Sequence, residues 1–270
     1  MEPNSDDQVS QLSLKEIFTS IIIGFVLATI TAFILPQFES KSNLILGQFV
    51  FVAPLLIYLR IRNFDFQRTT RFYPCNYKII FVSIVIGLSA AILSDEIDRI
   101  VSHFIELPEE LEKLTTEIVH AETLVQGIVI VVAIILLASI FEEILFRGVL
   151  QRTLENKMDA PHAIFLTALI FSFFHMPQWM IQIILLGLLL SYLAWRSGSI
   201  IPGIIVHLIN NSLAVLFYNT DWLKWDWYNW SGHVNPPVIA VSACLLFYGI
   251  KFFHHLTAGK EDPKQSEFRP

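Results

Sequence analysis

The stretch Phe141-Glu142-Glu143-Ile144-Leu145-Phe146-Arg147 closes a run, Val125 to Ile140, that is apolar enough to cross a bilayer. Two adjacent carboxylates in such a place are costly. A charged side chain near the bilayer centre costs about 2.5–3.5 kcal/mol on insertion scales, so it faces a protein interior or a wet cavity and marks a functional site by default. On a helix Glu143 and Arg147 stand at i and i+4 with the acid on the N-terminal side, the arrangement that lets them pair. Glu142 points about 100° away and has no partner inside the motif. One acid is therefore expected to be neutralised and the other left for a different task.

Working outward, the same character extends over the whole chain. Of 270 residues, 54% are hydrophobic and only 16% charged. The mean hydropathy of +0.58 is too high for an ordinary soluble domain. Repeated apolar runs of about 20 residues indicate an all-α, polytopic transmembrane helical bundle. Twenty-two Phe and six Trp suit a lipid-facing surface. A net charge of −6 without a long basic tract gives no reason to expect nucleic acid as a partner. The two cysteines, Cys75 and Cys244, form no CxxC pair, which argues against a disulfide framework or a thiolate metal site. The polar, acidic start lacks the basic opening of a signal peptide, so the first apolar run is expected to be retained as a span.

The chain divides into a polar tail over residues 1–14, N-terminal membrane helices with an acidic loop over 15–122, a core over 123–218, an aromatic loop and last helix over 219–256, and a polar tail over 257–270. About eight spans are expected: Ile17–Leu35, Leu44–Leu59, Ile79–Leu93, Thr123–Arg147 continuing toward Lys157, His162–His175, Trp179–Trp195, Ile201–Phe217 and Val238–Phe253. Asp95, Glu96 and Asp98 are read as ending the third. Within the acidic loop Leu107, Leu111, Leu114 and Ile118 share one helical face behind Pro108, Glu109 and Glu110, which suits a short amphipathic helix. Trp222, Trp225, Trp227, Tyr228 and Trp230 suit a headgroup-level aromatic belt. Arg60, Arg62, Arg68, Arg71, Lys78, Arg147, Arg152, Lys157 and Arg196 follow spans two, four and six. The positive-inside rule then puts both termini in the cytoplasm, and the site is expected to open to the cytoplasmic half.

Three spans carry polar side chains that do not belong in lipid. Beside Glu142, Glu143 and Arg147 stand Phe171-Ser172-Phe173-Phe174-His175 and His207-Leu208-Ile209-Asn210-Asn211. His207 and Asn211, at i and i+4, share a face. Taken singly, a histidine at a span end is ordinarily an interface residue, an intramembrane Asn an interhelical hydrogen bond, and Glu143–Arg147 a structural ion pair. Three helices each carrying such residues are better explained by one reaction site inside the bundle. His103, His120, His162, His233, His254 and His255 read as surface or interfacial.

Glu142-Glu143-x-x-x-Arg147, then Phe171-x-x-x-His175, then His207-x-x-x-Asn211, in that order on membrane helices, resembles the CPBP family: the CAAX-processing and bacteriocin-processing (Abi) intramembrane proteases, which include the type II CAAX prenyl endopeptidases. The resemblance covers about Thr123 to Phe217. It implies hydrolysis of a peptide bond of a membrane-associated or prenylated substrate in a lipid setting, in what reads as a prokaryotic plasma membrane. It further implies that Glu142 is the general base, that His175 helps hold the water, that His207 and Asn211 stabilise the oxyanion, and that Glu143, Arg147 and Phe171 support the site. Desolvation raises a carboxyl pKa toward the range a base needs. Oxyanion donors are worth about 2.7–4 kcal/mol each in other hydrolases. Ser172 does not share the face of His175, which disfavours a Ser–His mechanism. Glu142, His175 and His207 are also a His2Glu zinc set. With no HExxH, and with Asn211 beside His207, a reaction without zinc or another metal cofactor is preferred. Two other classes stay open. A proton-coupled transporter would show repeats, and a non-catalytic immunity or scaffold protein would keep its function without Glu142.

Overall fold

A computed structural model describes residues 12–34, 41–105, 108–176, 179–220 and 225–258. The chain is all-α apart from one two-stranded hairpin. Its helices are α1 (Leu14–Ile34), α2 (Ser42–Ile61), the short α3 (Phe66–Thr70), α4 (Tyr77–Phe104) and α5 (Glu109–Val119). There follow the long α6 (Leu124–Glu155), then α7 (Ala160–Ser172), α8 (Met180–Ser197), α9 (Ile201–Asn219) and α10 (Pro236–Leu256). Among the described residues seven of these, all but α3, α5 and α7, are long and apolar enough to span a membrane. The protein is an integral, multi-pass membrane protein. The two polar tails lie almost entirely outside the described residues.

The helix ends follow from local sequence. The Asn76, Thr123 and Asp159 side chains accept the first orphan amides of α4, α6 and α7, and Gly198, at φ 67°, takes the left-handed turn that ends α8. Two boundaries differ from those read in the sequence. Helix α4 does not stop at Leu93 but continues through Asp95, Glu96 and Asp98 to Phe104. Its acids find partners where they stand: Asp95 with Arg99 and Tyr228, Glu96 with His233 and the Val234 amide, and Asp98 with Gln182. The fifth span is only the 13-residue α7. At ~1.5 Å per residue it is too short to cross a bilayer alone. His175 lies beyond its end, in a turn.

Helix α6 is the centre of the bundle. Every residue from Glu143 to Gln151 is buried, the pattern of a helix surrounded by others rather than facing lipid. Ile144, Leu145, Phe146, Val149 and Leu150 pack with Ile17 and Ile21 of α1, Leu55 and Leu59 of α2, Phe171 of α7 and Ile204 of α9. Gly148 lets α3 come close, since a Cβ there would sit 2.5 Å from the Thr70 carbonyl oxygen. Two stretches of α6 are π-helical, Val131–Leu137 and Glu143–Gln151, on either side of the α-helical Ala138–Glu142. Such irregularities often accompany functional sites.

Two smaller elements stand at the end of the bundle where α4 and α9 finish. Helix α5 packs over that end, and Asn219 of α9 holds it by donating to the Val119 carbonyl. Its inward face includes the buried Thr115, whereas Leu114 is exposed. The face read from the leucines is therefore rotated by one residue there, and Leu107 lies outside the described residues. The aromatic loop, of which Trp222 is not described, contains a hairpin pairing Asn229–Trp230 with His233–Val234. Its turn residues Ser231 and Gly232 both have positive φ, as a two-residue type I′ turn requires. Trp227 and Trp230 are exposed. Burial, then the Asp95 carboxylate, holds the Tyr228 phenol well above its ordinary pKa, so it stays a neutral donor to Asp95.

Candidate active site

Glu143 is the anchor of the site and is completely buried, as is Arg147 one turn on. Arg147 donates to Glu143 Oε1 at 2.7 Å, to Ser191 Oγ at 3.4 Å and to the Gly187 carbonyl at 3.4 Å, and its guanidinium lies 4.2 Å from the Phe171 ring centre. Hydrogen bonds of this kind offset part of the cost of burying a charge pair, although Glu143 Oε2 is buried without one. His207 of α9 completes the cluster. Its Nδ1 lies 3.1 Å from Glu143 Oε1. A carboxylate only accepts, so Nδ1 carries the hydrogen and Nε2 faces away from Glu143. A Cβ at position 203 would come within 2.6 Å of Glu143 Oε2. Gly203 is thus what lets α9 approach the carboxylate.

Glu142 leaves this cluster and lines a cavity. One oxygen, Oε2, is buried without a hydrogen-bond partner and lies 3.8 Å from His207 Nε2. His175 reaches the same cavity from the turn after α7. Its Nδ1 donates to the Phe171 carbonyl at 3.0 Å, and its ring packs on the Phe171 ring. That bond leaves Nε2 as the nitrogen with a lone pair. Asn211 lines the cavity one turn beyond His207. Its amide donates to the Ile134 carbonyl at 2.9 Å, inside the first π stretch, and more weakly to Ser139 Oγ at 3.4 Å.

The structure thus brings together on one cavity Glu142, His175, His207 and Asn211, with Asn210 alongside. Glu143, Arg147 and Phe171 stand immediately behind them. His103, His120, His162, His233, His254 and His255 do not enter. Ser172 turns its hydroxyl to the Leu169 carbonyl instead. Among the described residues no group of three His, Cys, Asp or Glu side chains converges on one point. Several contributors were not legible beforehand: Gly187 and Ser191 under Arg147, Gly203 under Glu143, and Ser139 beside Asn211. The only hint was Gly187-x-x-x-Ser191, a small-residue pair on one face of α8.

The cavity measures about 670 Å³. It runs from Glu142 to Asp95 and Asp98 of α4, Glu112 of α5, Gln182 of α8 and Tyr218 of α9. These residues stand at the end of the bundle opposite Arg60, Arg62, Lys78, Lys157 and Arg196. The cavity thus extends toward the end opposite these basic residues, whereas the sequence reading has the site open on their side. In that direction α6 is buried on all sides.

Residues 124–213, a third of the chain, match the family described as type II CAAX prenyl endopeptidase Rce1-like. This chain contains an Rce1-like domain. The match begins with α6 and ends two residues beyond Asn211, so every residue of the cluster lies inside the Rce1-like domain. It implies a hydrolase of peptide bonds working in a lipid environment. No curated protein and no solved structure matches the chain.

Proposed function

We propose that the protein is an intramembrane endopeptidase in which Glu142 activates water to hydrolyse a peptide bond of a membrane-associated substrate, either the CAAX tripeptide of a prenylated protein or a bacteriocin-type peptide. The observation that carries this reading is the contrast between neighbours. Glu143 is tied through Oε1 to Arg147 and His207 and stands behind the cavity wall, whereas Glu142 lines the cavity itself and lacks such an anchor.

In this reading water donates one hydrogen to Glu142 and the other to His175 Nε2, whose role as acceptor follows from the bond at Nδ1. Glu142 takes the proton as the water oxygen attacks the carbonyl carbon, then returns it to the leaving amine. To serve the oxyanion, His207 needs a hydrogen on Nε2 besides the one that Nδ1 gives to Glu143. The Asn211 hydrogen resting weakly on Ser139 is the second donor. Such donors act strongly because they are fixed before charge develops and water is excluded. In this reading the reaction runs on these side chains without an exchangeable metal, a preference that rests on the absence of an HExxH pair and on Asn211 standing beside His207. Charge asymmetry supports both termini in the cytoplasm.

The test is cleavage of a fluorogenic peptide panel, prenylated CAAX peptides and leader-type peptides, by detergent-purified protein before and after exhaustive chelation. Activity lost in Glu142→Gln and kept after chelation is expected. Activity lost on chelation and restored by zinc would replace the glutamate mechanism with a metal one. Full activity in Glu142→Gln would remove Glu142 from the reaction.

A further inference from the structure

The cavity has a direction, and the direction bears on which substrates can reach Glu142. The cavity lining includes Glu142 and Asn211, and also Gln182, Glu112 and, near the end of α4, Asp98. Asp98 is 21 residues beyond Tyr77, the first residue of α4, or ~31 Å along the helix at ~1.5 Å per residue, which is the depth of a bilayer core. None of the cavity's lining residues comes from the loops that carry the Arg and Lys clusters.

The opposite way is blocked by packed, hydrogen-bonded side chains. Below Glu143 lies Arg147, bonded to Ser191, and below it Gln151, which donates to the Ser191 carbonyl and to Glu155. Glu155 pairs in turn with Arg71, whose carbonyl accepts from the Ile200 amide. Ser199 donates to the Tyr73 carbonyl beside it. Arg147 and Gln151 are fully buried. A peptide could pass that way only by breaking this column.

The two ends also differ in charge. Arg60, Arg62, Arg68, Arg71, Lys78, Arg152, Lys157 and Arg196 mark the closed end, and short loops so rich in Arg and Lys stay cytoplasmic. The outer cavity wall, Asp95, Asp98, Glu112 and Tyr218, lies outside residues 124–213, the stretch that matches the family.

We infer that substrate and hydrolytic water reach Glu142 from the face of the membrane opposite the Arg and Lys loops, so that the substrate is a membrane-associated peptide exposed on the non-cytoplasmic side rather than a cytosolic CAAX tail. This rests on the reading of Glu142 as the hydrolytic residue, but its geometry can be tested without any catalysis.

The test replaces Cys75 and Cys244 with Ala in the full chain and then introduces single cysteines. Ala138→Cys and Ser94→Cys report the cavity, Lys157→Cys the closed end and Ser231→Cys the hairpin end; Lys157 and Ser231 are exposed. Right-side-out and inverted membrane vesicles are treated with a small, impermeant, positively charged thiosulfonate. The cavity cysteines should react in right-side-out vesicles together with Ser231→Cys, while Lys157→Cys reacts only in inverted ones. Cavity labelling in step with Lys157→Cys, or from neither side, would overturn the inference. The peptide panel in detergent is the separate arm. Inactive protein with the expected labelling removes the hydrolytic reading and leaves the access route standing. In active protein, the adduct at Ser94→Cys should cut cleavage at least tenfold, and unchanged cleavage would again count against the route.

Discussion

Adjacent carboxylates of one residue type end up with opposite assignments because their neighbours differ. Glu143 faces Arg147, His207 and Gly203, and Glu142 faces the cavity. Glu142→Gln keeps the size and removes the base, so cleavage should fall about 10²–10⁴-fold, measured as kcat/KM on purified protein, with folded yield unchanged. His175→Ala should behave likewise. Arg147→Ala should act on stability first. It leaves a dry carboxylate without its cation, a loss of about 3–5 kcal/mol, read as a lower melting temperature in detergent. Combining Arg147→Met with Glu143→Gln removes both charges and should recover most of that loss. If the double variant is no more stable than Arg147→Ala, the pair is not the source of the cost. Most of this pairing was legible, because i and i+4 spacing brings Glu143 and Arg147 together in any helix. The bond from His207 to Glu143 was not, since 64 residues of chain separate them.

Among the elements, α6 is the one whose behaviour follows least from its own pattern. Its sequence suggests an ordinary apolar span, yet two π stretches flank Glu142 and its second half is buried all round. The Ile134 carbonyl in the first π stretch is taken up by Asn211 of α9, a partner that no local rule identifies. Close packing also sets the position of α3. Gly148→Ala would drive a methyl group against the Thr70 backbone, which cannot swing aside as a side chain could. That overpacking should cost about 1–3 kcal/mol, seen in thermal unfolding, with kcat little changed in the folded fraction. A Gly148→Ala protein as stable as the parent would mean that α3 moves freely. Helix α4 shows why charge is a poor stop signal. Asp95, Glu96 and Asp98 look like a boundary in the sequence, but each is answered across space by Arg99, Tyr228, His233 or Gln182, so the helix runs on.

For the molecule as a whole, composition and loop charge should govern how it sits in the membrane. Arg62→Cys and Lys157→Cys, both exposed on the basic side, should react with an impermeant thiol reagent from the same face. Reaction from opposite faces would mean an odd number of crossings between them and would break the topology. The sequence by itself determined the all-α membrane bundle, because apolar runs of bilayer length leave helices as the economical way to satisfy the backbone. It also singled out the residues that the structure gathers on one cavity, because charges and imidazoles in such runs stand out against lipid. Only the tertiary structure decided how those residues are partnered and toward which end of the bundle the cavity beside them extends. Partnering depends on contacts between helices far apart in the chain, as when α9 sets Gly203 and His207 against Glu143. Access depends on where packing leaves space. The void lies toward Asp98 because the Arg147–Gln151–Glu155 column fills the other side, and no spacing of residues along a single helix records that.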